Sequence, residues 1–127
     1  MRKILIDSDI IIDILRGLRK TVKEVEELFK ENELYISGIT EMEIFAGKDA
    51  EDNRKRKMME ELLSKFKKIN PNNEIFKIAG EFRRKYNISP PDCIIAATSY
   101  WMNTELWTRN VTDFEKVVEI RIFLESL

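Results

Sequence analysis

The 127-residue chain reads as a single α/β domain over residues 1–127, a three-layer α/β/α sandwich with a central, mainly parallel sheet of four to five strands. Two observations predict this. Short apolar runs of strand character alternate with longer segments whose apolar residues recur at helical spacing, the order of a parallel sheet covered on both faces. No repeat, low-complexity tract or linker interrupts that alternation, and a chain of this length buries roughly two-thirds of the surface it exposes unfolded, so one core suffices without disulfides.

The elements follow in order. Lys3-Ile4-Leu5-Ile6 is a buried strand ending at Asp7, and Ile11, Ile14, Leu15 and Leu18 continue at helical spacing. Val22, Val25, Leu28 and Phe29 mark the next amphipathic helix, and Leu34-Tyr35-Ile36 a second strand before Ser37 and Gly38. A helix carrying Met42, Glu43, Ile44 and Phe45 stops at Gly47. From about Asp49 to Phe66 the pattern predicts one long charged helix with Met59, Leu62, Leu63 and Phe66 on one face, followed by a strand at Ile69. Asn70-Pro71-Asn72-Asn73 is the clearest turn. Ile75, Ile78, Ala79, Phe82 and Tyr86 mark a further helix, Asn87 to Pro91 breaks it, and Asp92 opens an apolar helix through Trp101. Glu105 to Thr108 is a fourth strand and Val117 to Ile120 a fifth.

Composition narrows the chemistry. There is no histidine and one cysteine, so the nitrogen and sulfur ligands that zinc prefers are nearly absent, and Cys93, among Ile and Ala, reads as a small buried hydrophobe. The amino terminus has no signal-peptide pattern, and no apolar run approaches the roughly 20 residues that span a bilayer; a soluble, cytoplasmic protein with no membrane partner is expected. The net charge of −1 gives no global pull on nucleic acid. Basic clusters at 54–57, 65–68 and 83–85 could track a phosphate backbone, but each reads better as a solvated helix face pairing with acids such as Glu60, Glu61 and Glu81.

Four acids, Asp7, Glu43, Asp92 and Asp113, each sit where a hydrophobic segment meets a helix start or a turn. Each has an ordinary structural role available. Asp7-Ser8 suits a helix cap, Thr40 to Glu43 suits a capping box, and Ser89-Pro90-Pro91-Asp92 suits another. Their combination points elsewhere. Asp7, Asp9 and Asp13 lie in an apolar stretch with no lysine or arginine between Lys3 and Arg16, and carboxylates against a core cost several kcal/mol unless compensated. A hard divalent cation, Mg²⁺ or Mn²⁺, is the economical counter-charge, although a basic residue distant in sequence could serve.

Four motifs, Ile6-Asp7-Ser8-Asp9, Glu43-Ile44-Phe45-Ala46-Gly47, Asp92-Cys93-Ile94-Ile95-Ala96-Ala97-Thr98 and Thr108-Arg109-Asn110-Val111-Thr112-Asp113-Phe114, give the chain an end-to-end resemblance to the PIN-domain ribonucleases, in particular the compact VapC-type toxins of VapBC systems. The resemblance implies a PIN-like fold and a catalytic metal pocket of Asp7, Glu43, Asp92 and Asp113 holding Mg²⁺ or Mn²⁺. Ser8, Asn110 and Thr108 would support it. Ser8 replaces the more usual threonine and keeps the hydroxyl; Asp9 replaces the more usual asparagine, and its extra carboxylate either tightens metal binding or caps the helix.

The resemblance further implies an RNA substrate, cleaved by a water activated on the metal, a VapB-like antitoxin partner and a homodimer. Arg16, Arg19 and Arg109 are the candidates for phosphate contact, while Trp101, Trp107 and Phe45, lying among apolar residues, read as core. Two alternatives stand beside this. Asp7-Ser8-Asp9 also resembles the Asp-x-Asp nucleophile motif of haloacid-dehalogenase-like phosphatases, with Asp7 attacking phosphorus, although the chain is short for that fold. The other is a non-catalytic PIN-like binding module in which the acids only cap helices.

Overall fold

The computed structural model describes residues 1–124. Within them lie strands β1 (Lys3–Ile6), β2 (Glu33–Ser37), β3 (Lys67–Ile69), β4 (Glu105–Trp107) and β5 (Arg121–Ile122). The helices are α1 (Ser8–Leu15), α2 (Arg19–Glu31), α3 (Gly38–Phe45), α4 (Asn53–Leu63), α5 (Asn73–Tyr86), α6 (Pro90–Met102) and α7 (Val111–Phe114). All the strands pair in parallel, in the order β3-β2-β1-β4-β5.

The pleat of the strands divides the core. Ile4 and Ile6 of β1, Leu34 and Ile36 of β2 and Trp107 of β4 point to one face, where they meet Ile10, Ile11, Val25, Ile44, Met59 and Leu63 from α1 to α4. Leu5, Tyr35 and Leu106 point to the other, against Ile75, Phe82, Ile95 and Phe114 from α5 to α7. Two apolar core layers result, and each fully buried Ile or Leu contributes about 1.5–3 kcal/mol. The chain runs outward from β1 through β2 to β3, then returns to place β4 on the other side of β1. In such sheets the crevice outside the carboxyl ends, where the winding reverses, is where ligands collect. Here that crevice lies beyond β1 and β4, and Asp7 and Thr108 are the residues that follow those strands.

Several sequence expectations need correction. The charged helix is broken: a 3₁₀ turn spans Lys48–Glu51, Asp52 is extended, and its carboxylate caps α4 by accepting from Lys55 N at 3.0 Å. The fifth strand is Arg121–Ile122 rather than Val117 to Ile120, because Val117 is buried in the second core layer and Ile120 closes a turn back to its carbonyl. Trp101 is 43 % exposed, its indole N–H donating to Glu74 at 3.1 Å, whereas Trp107 is core. The basic clusters are exposed faces, but Lys55, Lys67, Lys68 and Lys85 pair with Asp49, Glu33, Glu41 and Glu119 rather than with the acids adjacent in sequence. Among the described residues no helix is long and apolar enough to cross a membrane.

Candidate metal centre

Asp7 ends β1 and caps α1: its Oδ1 accepts the Ser8 amide at 2.8 Å, so the capping role is real. Its other oxygen, Oδ2, accepts the Thr108 hydroxyl at 2.8 Å from the end of β4, across 101 residues of sequence. Asp9 Oδ2 lies 3.4 Å from the same hydroxyl and accepts the Arg109 amide at 3.0 Å. Thr108 Oγ1 in turn accepts the Asn110 amide at 3.0 Å, which turns the Asn110 side chain toward the first turn of α6 and toward α7. Its Nδ2 donates to Asp113 at 3.0 Å and stands 3.5 Å from Asp92.

Glu43 enters from the other flank. The sequence allows it a capping role, but α3 starts at Gly38, capped by Ser37 Oγ, which accepts from Ile39 N at 3.1 Å. Glu43 is therefore in the last turn, too far along to reach the helix start. It accepts the Ser8 hydroxyl instead, at 2.6 Å. Thr40, fully buried, lies 3.2 Å from the same hydroxyl and belongs to the site although its sequence context gave no sign of it. The chain of contacts thus runs from Glu43 through Ser8, Asp7, Thr108 and Asn110 to Asp92 and Asp113. The first turn of α6 does carry a cap, Ser89 Oγ accepting from Asp92 N at 3.4 Å.

The electrostatics follow from burial. Asp7 is 7 % exposed. Desolvation, then the Asp9 charge, push its carboxyl from 3.8 up to about 7; the Thr108 hydroxyl and Ser8 amide oppose this, and Asp92 adds a smaller push. Asp92 is also raised, by burial and then by Asp113 against the opposing Ser89 contact. Asp9 is raised by burial, opposed by the Arg109 and Ile10 amides, the Thr108 hydroxyl and the Arg109 charge.

A distant basic residue does supply part of the counter-charge. The Arg109 guanidinium bonds Asp13 at 3.1 Å and Thr21 at 2.9 Å and lies over the Trp107 ring, so the structure commits it to α1 and α2 rather than to solvent. Among the described residues, the main influences on Asp7 and Asp92 include no lysine or arginine. Arg16 and Arg19 are exposed at the end of α1 and the start of α2.

A hard cation fits this donor set. Among the described residues Asp9 Oδ1 is buried without a hydrogen-bond partner, the acids offer oxygen alone, and the Asp7 carboxyl is raised first by burial and then by the Asp9 charge, which a cation would offset. Among the described residues no group of three or more acidic or cysteine side chains stands ready to enclose an ion.

An all-parallel five-stranded sheet with acidic side chains at its winding reversal defines the class as a doubly wound α/β domain. The particular family is the PIN domain: the chain belongs to it, the match running over residues 4–120. Among solved structures the chain is similar to one in a toxin–antitoxin complex from Klebsiella pneumoniae, with 32 % identity, a TM-score of 0.79, and coverage of 91 % of this chain and 93 % of that one. It also superposes on a chain of DNA-bound VapBC from Salmonella typhimurium (23 % identity, TM-score 0.85, 97 % and 98 % covered) and of VapBC2 from Rickettsia felis (19 %, 0.84, 98 % and 99 %), which speak to the fold alone. No curated protein sequence matches the chain.

Proposed function

We propose that the protein is a metal-dependent endoribonuclease that hydrolyses RNA phosphodiester bonds, and that it is the toxin of a type II toxin–antitoxin pair. The observation that carries the reading is the hydrogen-bonded chain joining Glu43, Asp7, Asp92 and Asp113 at the carboxyl ends of β1 and β4, within a PIN domain. The toxin assignment rests on the likeness to a chain of a toxin–antitoxin complex. A VapB-like antitoxin, a homodimer and a cytoplasmic setting belong to the same proposal.

Asp7 and Asp92 are assigned the metal, Mg²⁺ or Mn²⁺, with Glu43 and Asp113 reaching it directly or through water. When bound, such an ion acidifies water and offsets charge on the phosphate. The protein does the rest by positioning. The Ser8 amide and Thr108 hydroxyl hold the two oxygens of Asp7 in one orientation. The Asn110 amide spans Asp92 and Asp113, moderating their repulsion. Glu43, fixed by the Ser8 hydroxyl, keeps Oε2 for orienting water or taking its proton. The phosphatase alternative finds little support, since both Asp7 oxygens already accept hydrogen bonds and Asp9 Oδ2 is tied to the Arg109 amide.

The test is cleavage of single-stranded RNA with Mg²⁺, with Mn²⁺ and with chelator, by the wild type and Asp92→Asn. Metal-dependent cleavage by the wild type alone supports the reading. Equal metal-induced stabilisation of both proteins without cleavage would leave a binding module.

A further inference from the structure

Beside the acidic crevice, α1, α3 and the 3₁₀ turn enclose a groove of about 330 Å³. Ile12, Leu15, Ile44 and Met59 make its wall; Arg16 and Lys48 stand at its rim with Glu43 and Asp49. Glu43 belongs to both places, since it lines the groove and accepts the Ser8 hydroxyl next to Asp7. The groove therefore shares Glu43 with the site where a phosphodiester would be cut.

The charges at the rim are unequal in their freedom. Glu43 is engaged by Ser8 and Asp49 by Lys55 at 3.4 Å. The side chains of Arg16 and Lys48, both exposed, make no ion pair or hydrogen bond within the described residues. Two uncommitted cations around an apolar slot large enough for a purine, adjoining an acidic crevice, match the parts of a nucleotide: a flat, weakly polar base and an anionic phosphate.

We propose that this groove is a nucleotide subsite, taking the base next to the scissile phosphate of a single-stranded RNA against Ile12, Leu15, Ile44 and Met59, with Arg16 and Lys48 holding the adjoining phosphate. The inference rests on the nuclease reading and adds the substrate's path. Gly47 offers a clean way to test it, because it lines the groove with φ −68° and ψ 149°, a conformation open to any residue, and a Cβ there would touch only the Ile44 carbonyl oxygen, at 3.4 Å. Gly47→Leu would fill the slot.

The experiment measures binding of a short fluorescein-labelled single-stranded RNA by anisotropy, using full-length protein carrying Asp92→Asn so that chemistry does not intervene. Adding Gly47→Leu, or Arg16→Ala with Lys48→Ala, is expected to weaken binding about tenfold or more, the scale of one base contact, with unfolding curves showing that each variant folds. An RNA with one abasic position next to the cleavage point should bind the starting protein about as weakly, and Gly47→Leu should weaken that RNA little further. Undiminished affinity in both variants would overturn the subsite while leaving the nuclease reading intact. Unchanged RNA affinity with lost binding of a protein partner would overturn it in favour of protein docking. No RNA binding by the starting protein would overturn the subsite, while the nuclease reading stands or falls on the separate cleavage test with the wild type.

Discussion

Replacing Asp7 by asparagine should make the metal-free protein more stable, and by an amount that depends on pH. Both side chains cap a helix well, and the amide oxygen can still accept from Ser8, so the cap survives. The change removes the need to hold a charge in a buried site. In the folded protein the Asp7 carboxyl is raised from 3.8 to about 7, so the native state holds the proton more tightly than the unfolded chain. The sign follows: this group's stabilisation is complete below about pH 4 and is lost as pH rises to about pH 7. At 1.36 kcal/mol per pKa unit the loss is about 4 kcal/mol.

Asp7→Asn should therefore match the wild type within about 1 kcal/mol near pH 4 and exceed it by about 2–4 kcal/mol at about pH 8. For a chain of this size that is a rise in melting temperature of about 10 °C. Urea unfolding in the presence of chelator, followed by circular dichroism across that range, reads the difference directly. A constant offset at all pH values, or a variant weaker at high pH, would show that Asp7 is a structural cap whose charge the fold tolerates, and the argument for a cation would go with it.

Four further outcomes follow from the same geometry. Asp92→Asn should lower ribonuclease activity at least about a hundredfold, the scale of a lost metal ligand, with the fold intact by circular dichroism. Stabilisation of the wild type by Mg²⁺, read as a melting shift, should be larger at about pH 8 than at about pH 6, because Asp7 must lose its proton to bind; an equal shift would place the ion elsewhere. Thr108→Val removes the donor to Asp7 and the acceptor for the Asn110 amide, and should cost about 1–3 kcal/mol in urea unfolding, whereas Thr108→Ser should recover most of it. Ser8→Ala frees Glu43 and should depress RNA cleavage while Ser8→Thr preserves it; equal rates in both would remove the Ser8 hydroxyl as the group that positions Glu43.

Much of the fold was legible in order and spacing. The period-two run Ile4-Leu5-Ile6 splits between the two core layers, and the alternation of strand and helix foretold a parallel sheet. Boundaries failed where the pattern was silent and a local contact decided: Asp52 captures the Lys55 amide and starts α4 afresh, within a polar run, 51–57, that has no apolar residue to mark the break. Trp101 failed for a related reason, since hydropathy takes no account of an indole N–H that finds Glu74 at the surface.

At the site, sequence alone determined the kind of chemistry available: oxygen donors without imidazole, acids set in apolar surroundings, and strand ends as their location. Tertiary structure decided which of those acids meet. The Thr108 hydroxyl joins Asp7 across 101 residues, Ser8 draws Glu43 away from any capping role, and Arg109 neutralises Asp13 while Asp7 and Asp92 keep their repulsion. These meetings depend on the sheet order and on where α3 begins, because hydrogen bonds and Coulomb forces act over a few ångströms in space whatever the separation along the chain.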